Sequence, residues 1–142
     1  MKTHQIVIIS LLAITFLIQG CTSTKTNLVK EGYLSTERLQ TKRFRIWTIH
    51  AYRENDHMKV SGYVRRDYFY RGYAPGHVDI TIVSPDDTVL KKVATVYTPR
   101  NIRSKGARTA HFTARISEIP PKGSVVQAVH HQGGIKPECT DS

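Results

Sequence analysis

Two arrangements of apolar residues divide the chain. Near its start the run from Ile6 to Ile18 is almost unbroken, interrupted only by Ser10 and Thr15. From Arg43 onward apolar and polar residues alternate with a period close to two. That period marks strands with one face on a core and the other in water.

The first predicted strand starts at Arg43. Phe44, Ile46, Thr48, His50 and Tyr52 share one face, and Arg45, Trp47, Ile49 and Ala51 the other. A polar turn, Glu54-Asn55-Asp56-His57, leads to a second strand. There Met58, Val60, Gly62 and Val64 alternate with Lys59, Ser61, Tyr63 and Arg65. Strand, turn and strand read as a hairpin. Arg66 to Gly76 breaks the alternation. His77 to Ser84 resumes it, with Val78, Ile80 and Ile82 facing one way and His77, Asp79 and Thr81 the other. Pro85-Asp86-Asp87 is a turn signal, and Val89 to Tyr97 completes a second hairpin over 77–97. Thr98 to Lys105 reads as a polar connection. Arg108 to Ser117 places Ala110, Phe112, Ala114 and Ile116 on one face. Pro120-Pro121-Lys122-Gly123 turns the chain into a last strand, Ser124 to His131. The stretch from Leu28 to Thr41 fits either one helical turn over 35–39 or an extended lead-in.

Strands without a convincing helix, separated by turns at regular intervals, predict an all-β fold. An antiparallel β-sandwich of about six to seven strands is the expected form, small barrels being built from the same pattern. In its Pro-Asp-Asp turn, its Pro-Pro-Lys-Gly turn and its strand count, the body resembles immunoglobulin-like modules. It lacks the paired core cysteines of antibody domains.

The apolar run at the start has a different meaning. It follows a short positive segment with Lys2 and His4, and ends at Gln19-Gly20-Cys21 before polar residues. It is shorter than the roughly 18–20 residues that span a bilayer. A positive start, an apolar core and a small-residue cleavage point make a secretory signal. Ile18-Gln19-Gly20-Cys21 resembles the lipobox of bacterial lipoproteins, with Ile18 and Gln19 standing where leucine and a smaller residue are commoner. The resemblance implies cleavage before Cys21, a diacylglycerol on its sulfur and acylation of its amino group. With Thr22 after the cysteine it implies the outer membrane, facing the periplasm. An ordinary cleaved signal, or an uncleaved N-terminal anchor, is the other reading of the same stretch. The expected organisation is a signal peptide over 1–20, then lipidated cysteine, polar tether and lead-in over 21–41. A β-sandwich over 42–132 and a flexible tail over 133–142 complete it.

Charge and cysteines narrow the partners. The chain of 142 residues carries a formal net charge of +10. Such a balance suits nucleic acid inside a cell. In an envelope the nearer anions are lipid head groups, phosphorylated glycolipids and acidic polymers. Solubility of a tethered protein is the plainer purpose of the same charge. The expected partners are the membrane, through the N-terminal lipid, and another envelope protein or an anionic envelope glycan, with no nucleic acid. With Cys21 acylated, Cys139 has no internal partner and sits in the tail.

Catalytic signatures are missing. There is no Gly-x-Ser-x-Gly, no His-Glu-x-x-His and no phosphate-binding glycine loop, and no cofactor motif. Two candidate sites remain. In the loop Arg65–Tyr73, the residues Arg65, Arg66 and Arg71 alternate with Tyr68, Phe69, Tyr70 and Tyr73. Arginine and tyrosine combine large contact area with directed hydrogen bonds, as binding surfaces require. The same rings would also serve as a lid on the sandwich. The second candidate is His77 and Asp79, which are two apart and so project from one strand face. Joined by His111, His130 or His131, they would offer nitrogen and oxygen ligands to Cu(II) or Zn(II). The expected function is therefore a non-catalytic binding or structural module of the cell envelope, with periplasmic copper or zinc binding as the alternative.

Overall fold

A computed structural model describes residues 25–71 and 75–134. It is an all-β sandwich, with no helix among the described residues. The strands are β1 (Thr26–Asn27), β2 (Ser35–Leu39), β3 (Phe44–Glu54), β4 (His57–Arg66), β5 (Gly76–Val83), β6 (Val89–Thr95), β7 (Tyr97–Thr98), β8 (Thr109–Ile116) and β9 (Val125–Gln132). One sheet runs β1-β3-β4-β8-β7 and the other β2-β9-β5-β6. All ladders are antiparallel except β2–β9, which is parallel over Ser35–Leu39 and Val125–Val129.

The core is the apolar half of each alternation. Met58, Val60 and Val64 of β4 meet Val78, Ile80 and Ile82 of β5 across the gap, joined by Phe112 of β8 and Val126 of β9. Burying a side chain of this size contributes about 1.5–3 kcal/mol, so these positions supply most of the driving force. The turns follow the expected chemistry. Asn55 and Asp87 both take positive φ, 56° and 63°, a conformation that Asn and Asp tolerate better than other side chains.

Three features depart from the alternation. First, β3 contains a bulge: Ile46 pairs with Val64 and Thr48 with Tyr63, leaving Trp47 as the extra residue. The bulge exchanges the faces. Phe44 and Ile46 are buried before it, Ile49 and Ala51 after it. Thr48, His50 and Tyr52 therefore lie away from the core, not with Phe44 as the simple period placed them. Gly62 makes the close approach possible, since a Cβ there would collide with the Thr48 carbonyl and the Phe112 ring. The carbonyl of Trp47 accepts a hydrogen bond from Arg38 Nη1 at 2.7 Å.

Second, the lead-in belongs to the sandwich. β1 is an edge strand of one sheet and β2 of the other, and Leu28 and Leu34 are buried in the core. The sandwich thus begins before residue 42, and 35–39 is extended, not a helical turn. Third, the run expected over 89–97 divides at Val96. β6 stays in one sheet, while Tyr97 and Thr98 cross to pair with Phe112 and His111 in the other. Ile102, in the connection read as polar, is buried beside them. These short additions raise the strand count among the described residues to nine.

Candidate functional site

The loop after β4 is divided residue by residue. Its base is internal. Arg66 is 4% exposed; its Nε donates to the Tyr70 carbonyl at 2.8 Å and its Nη1 to the Ile102 carbonyl at 2.6 Å. Its guanidinium also lies 5.1 Å from the centre of the Tyr70 ring. Tyr70 meets Phe44 edge to face at 5.8 Å, and Arg43 covers it at 5.0 Å. Arg66 and Tyr70 therefore close one end of the sandwich.

The tip points the other way. Tyr68 is 77% exposed and Phe69 88%, with ring centroids 5.5 Å apart in a T-shaped pair. An Asx turn, in which Phe69 N donates to Asp67 Oδ1 at 3.1 Å, sets the backbone. Arg108 donates to the Asp67 carbonyl and stacks over Tyr68 at 4.9 Å. The tip is thus held by its neighbours while its rings stay in water. Arg71 is exposed, and Tyr73 lies outside the described residues.

Arg65 turns outward from the loop. It lies over Trp47 at 5.3 Å and stands directly opposite Arg45 in the β3–β4 ladder. Arg43, Arg45, Trp47 and Arg108 escaped the sequence reading because they sit far from the loop in the chain. The bulge that separates Trp47 from the face of Ile49 and Ala51 leaves no mark in a run of good strand formers.

The second candidate is partly assembled. His77 and His131 face each other across the β5–β9 ladder, with rings stacked at 5.7 Å. His77 Nε2 is 3.2 Å from Asp79 Oδ1, and His131 Nε2 is 3.3 Å from Asp79 Oδ2. On the far side of its ring, His77 Nδ1 is 3.3 Å from the Gly133 carbonyl. Of the three histidines considered as a third member, only His131 joins. His111 belongs to the other sheet. His130 points into the core, where it stacks on Phe44 and lies 3.3 Å from the Tyr97 hydroxyl. Burial, reinforced by the charges of His77 and His131, pushes the His130 imidazole down to about 4. In the trio of His77, Asp79 and His131 both imidazoles approach one carboxylate, whose buried Oδ1 accepts no hydrogen bond. Among the described residues no group of three or more His, Cys, Asp or Glu side chains stands arranged around a metal position.

Cys21 and Cys139 both lie outside the described residues. Compared with protein-family models, curated proteins and solved structures, the chain finds no match.

Proposed function

We propose that the protein is a non-catalytic binding module of the cell envelope. It is anchored in the outer membrane by lipid on Cys21 and faces the periplasm. Its contact with another envelope component is made by the loop tip, Tyr68 and Phe69, with the surrounding arginines. The observation that carries this reading is the exposure of two adjacent aromatic rings on a loop whose base is fixed. Aromatic rings held in place before binding lose little freedom on contact, so such sites yield a large share of binding energy. The separation of roles within the loop supports it further. Arg66 and Tyr70 give the sandwich its end, and Tyr68 and Phe69 are not needed for that.

The test replaces both tip residues, Tyr68→Ser with Phe69→Ser, in the full chain. A photo-crosslinking side chain at Arg71 then reports contacts in intact envelopes. A discrete adduct that disappears in the double variant, with an unchanged melting temperature, is the expected result. An adduct indifferent to the tip would assign the contact elsewhere.

The copper or zinc reading keeps one supporting observation, the meeting of two imidazoles on one buried carboxylate. An ion would have to enter between groups already in contact. Titration with Cu(II) and Zn(II) measures it, and absence of tight binding in the wild-type chain removes it.

A further inference from the structure

The outer face of the larger sheet carries a charge pattern that folding alone disfavours. In β3, β4 and β8 together the only carboxylate is Glu54, at the hairpin end. It is already shared between Lys25 at 3.3 Å and Lys59 at 3.8 Å. Every other lysine, arginine or carboxylate position of these strands is basic. Arg45 and Arg65 are paired directly across the ladder, and Lys59 and Arg115 are paired likewise. Like charges placed opposite one another on a sheet cost stability. Random placement of surface cations does not need two such pairs on three neighbouring strands.

Between the pairs lie aromatic rings. Trp47, on the outer face with Arg45, is 48% exposed, and Tyr63 is 42% exposed. The Tyr63 ring meets His111 edge to face at 5.2 Å. Arg65 leans on Trp47, which holds its guanidinium beside the ring and not spread into solvent. β4, at the centre of this face, is paired along its length with β3 on one side and β8 on the other, so the side chains of the face, and not its backbone, are what a ligand meets there. A ligand of this face must touch it with flat surfaces and offer anions to the arginines.

We propose that this face binds an acidic polysaccharide. The sugar rings lie against Trp47 and Tyr63, whose broad apolar faces suit them. Carboxylates of the chain pair with Arg45 and Arg65, each guanidinium able to take a carboxylate by two parallel hydrogen bonds. The ligand thereby neutralises the repulsion between the two arginines. The proposal rests on the envelope reading only for its choice of a saccharide over a nucleic acid. It does not involve the loop tip.

The tryptophan makes a direct test possible, because the chain has only one. The full chain, purified in detergent, is titrated with oligogalacturonate, neutral dextran and oligothymidylate while Trp47 emission is recorded. Oligogalacturonate is expected to shift the emission, and binding to weaken as salt rises. Dextran is expected to leave it unchanged. Arg45→Gln and Arg65→Gln are each expected to weaken oligogalacturonate binding by roughly tenfold, the loss of a charged hydrogen-bonded contact. Arg45→Gln should also melt at the same temperature as wild type or higher, since it removes a repulsion, while Arg65→Gln removes that repulsion together with the contact on Trp47 and should melt close to wild type. A merely structural arginine would instead lower it. Tyr63→Ala provides a stacking variant that leaves every charge in place, and it too should weaken binding. The proposal is overturned if oligogalacturonate leaves Trp47 unaffected, if the three variants bind as wild type does, or if oligothymidylate binds as tightly. These outcomes do not depend on where the protein resides or on Tyr68 and Phe69, so this proposal and the envelope reading can fail separately.

Discussion

Phe44 of β3 and His130 of β9 stack with ring centroids 4.3 Å apart and an interplanar angle of 29°, tying the two sheets together at one end. A histidine in that place must stay neutral. Its imidazole sits at about 4, pushed down first by burial and then by the charges of His77 and His131. An unfolded chain protonates its histidines near 6.5. The folded state therefore binds fewer protons than the unfolded state between those values. The stabilising effect is complete above about pH 6.5, is lost as pH falls, and loses nothing more below about 4. Chemical denaturation should show wild type weakening by about 2–3 kcal/mol across this window. His130→Phe, which keeps a ring on Phe44 but cannot titrate, should lose much of that slope. An identical slope in the variant would place the titration elsewhere.

Much of this sandwich is legible as alternation. The runs around β4, β5, β8 and β9 place their apolar residues on the core side as the period of two requires. Even the inward position of His130 follows, because it continues the series Val126, Ala128. The exceptions have physical reasons. A bulge inserts one residue and leaves alternation intact on either side, so Arg45-Ile46-Trp47-Thr48-Ile49 gives no warning. The two-residue strands β1 and β7 exist only through distant partners. Leu28 and Leu34 are too far apart in a polar stretch to show a period. At the candidate site, the mixture of rings and arginines over 65–73 was visible. Which ring faces in depends on Phe44, Ile102 and Arg108, which only the fold brings near.

Gly62 is the hinge of the bulge. Any Cβ there meets the Thr48 backbone and the Phe112 ring, neither of which can give way without moving a strand. Gly62→Ala adds one methyl group to the core, a change that overpacking usually makes cost about 1–3 kcal/mol and here should reach the upper end. The measurement is the denaturation midpoint. Because the strain falls beside Trp47, its emission in the native state should shift as well. A variant as stable as wild type would mean that β3 does not approach β4 as closely as described.

The lead-in can be tested in the same way. Leu34 is 4% exposed in the core although the surrounding residues are polar. Tyr33 N and Leu34 N both donate to the Leu28 carbonyl, at 2.9 and 3.2 Å, closing the turn between β1 and β2. Leu34→Ala should cost about 2–5 kcal/mol. Were 28–41 only a tether, the same change would be neutral in a thermal melt.

The two halves of the Arg65–Tyr73 loop predict opposite results for changes four residues or fewer apart. Arg66→Ala removes a buried guanidinium and leaves the Ile102 carbonyl at 2.6 Å and the Tyr70 carbonyl at 2.8 Å without these donors. Buried carbonyls stripped of partners cost about 1–3 kcal/mol each, and Tyr70 also loses the cation beneath its ring. A loss of roughly 2–4 kcal/mol follows, together with freer motion of Tyr70 against Phe44. Phe69→Ser, at a residue 88% exposed, should stay within about 0.5 kcal/mol of wild type. Arg66→Lys distinguishes charge from geometry: an ammonium can reach one carbonyl but cannot span both with a planar fork, so it should recover only part of the loss. Thermal melts of the three variants, read beside their crosslinking in envelopes, separate the residues that hold the loop from those that it presents. Equal destabilisation by Phe69→Ser and Arg66→Ala would mean that the tip, too, is part of the lid.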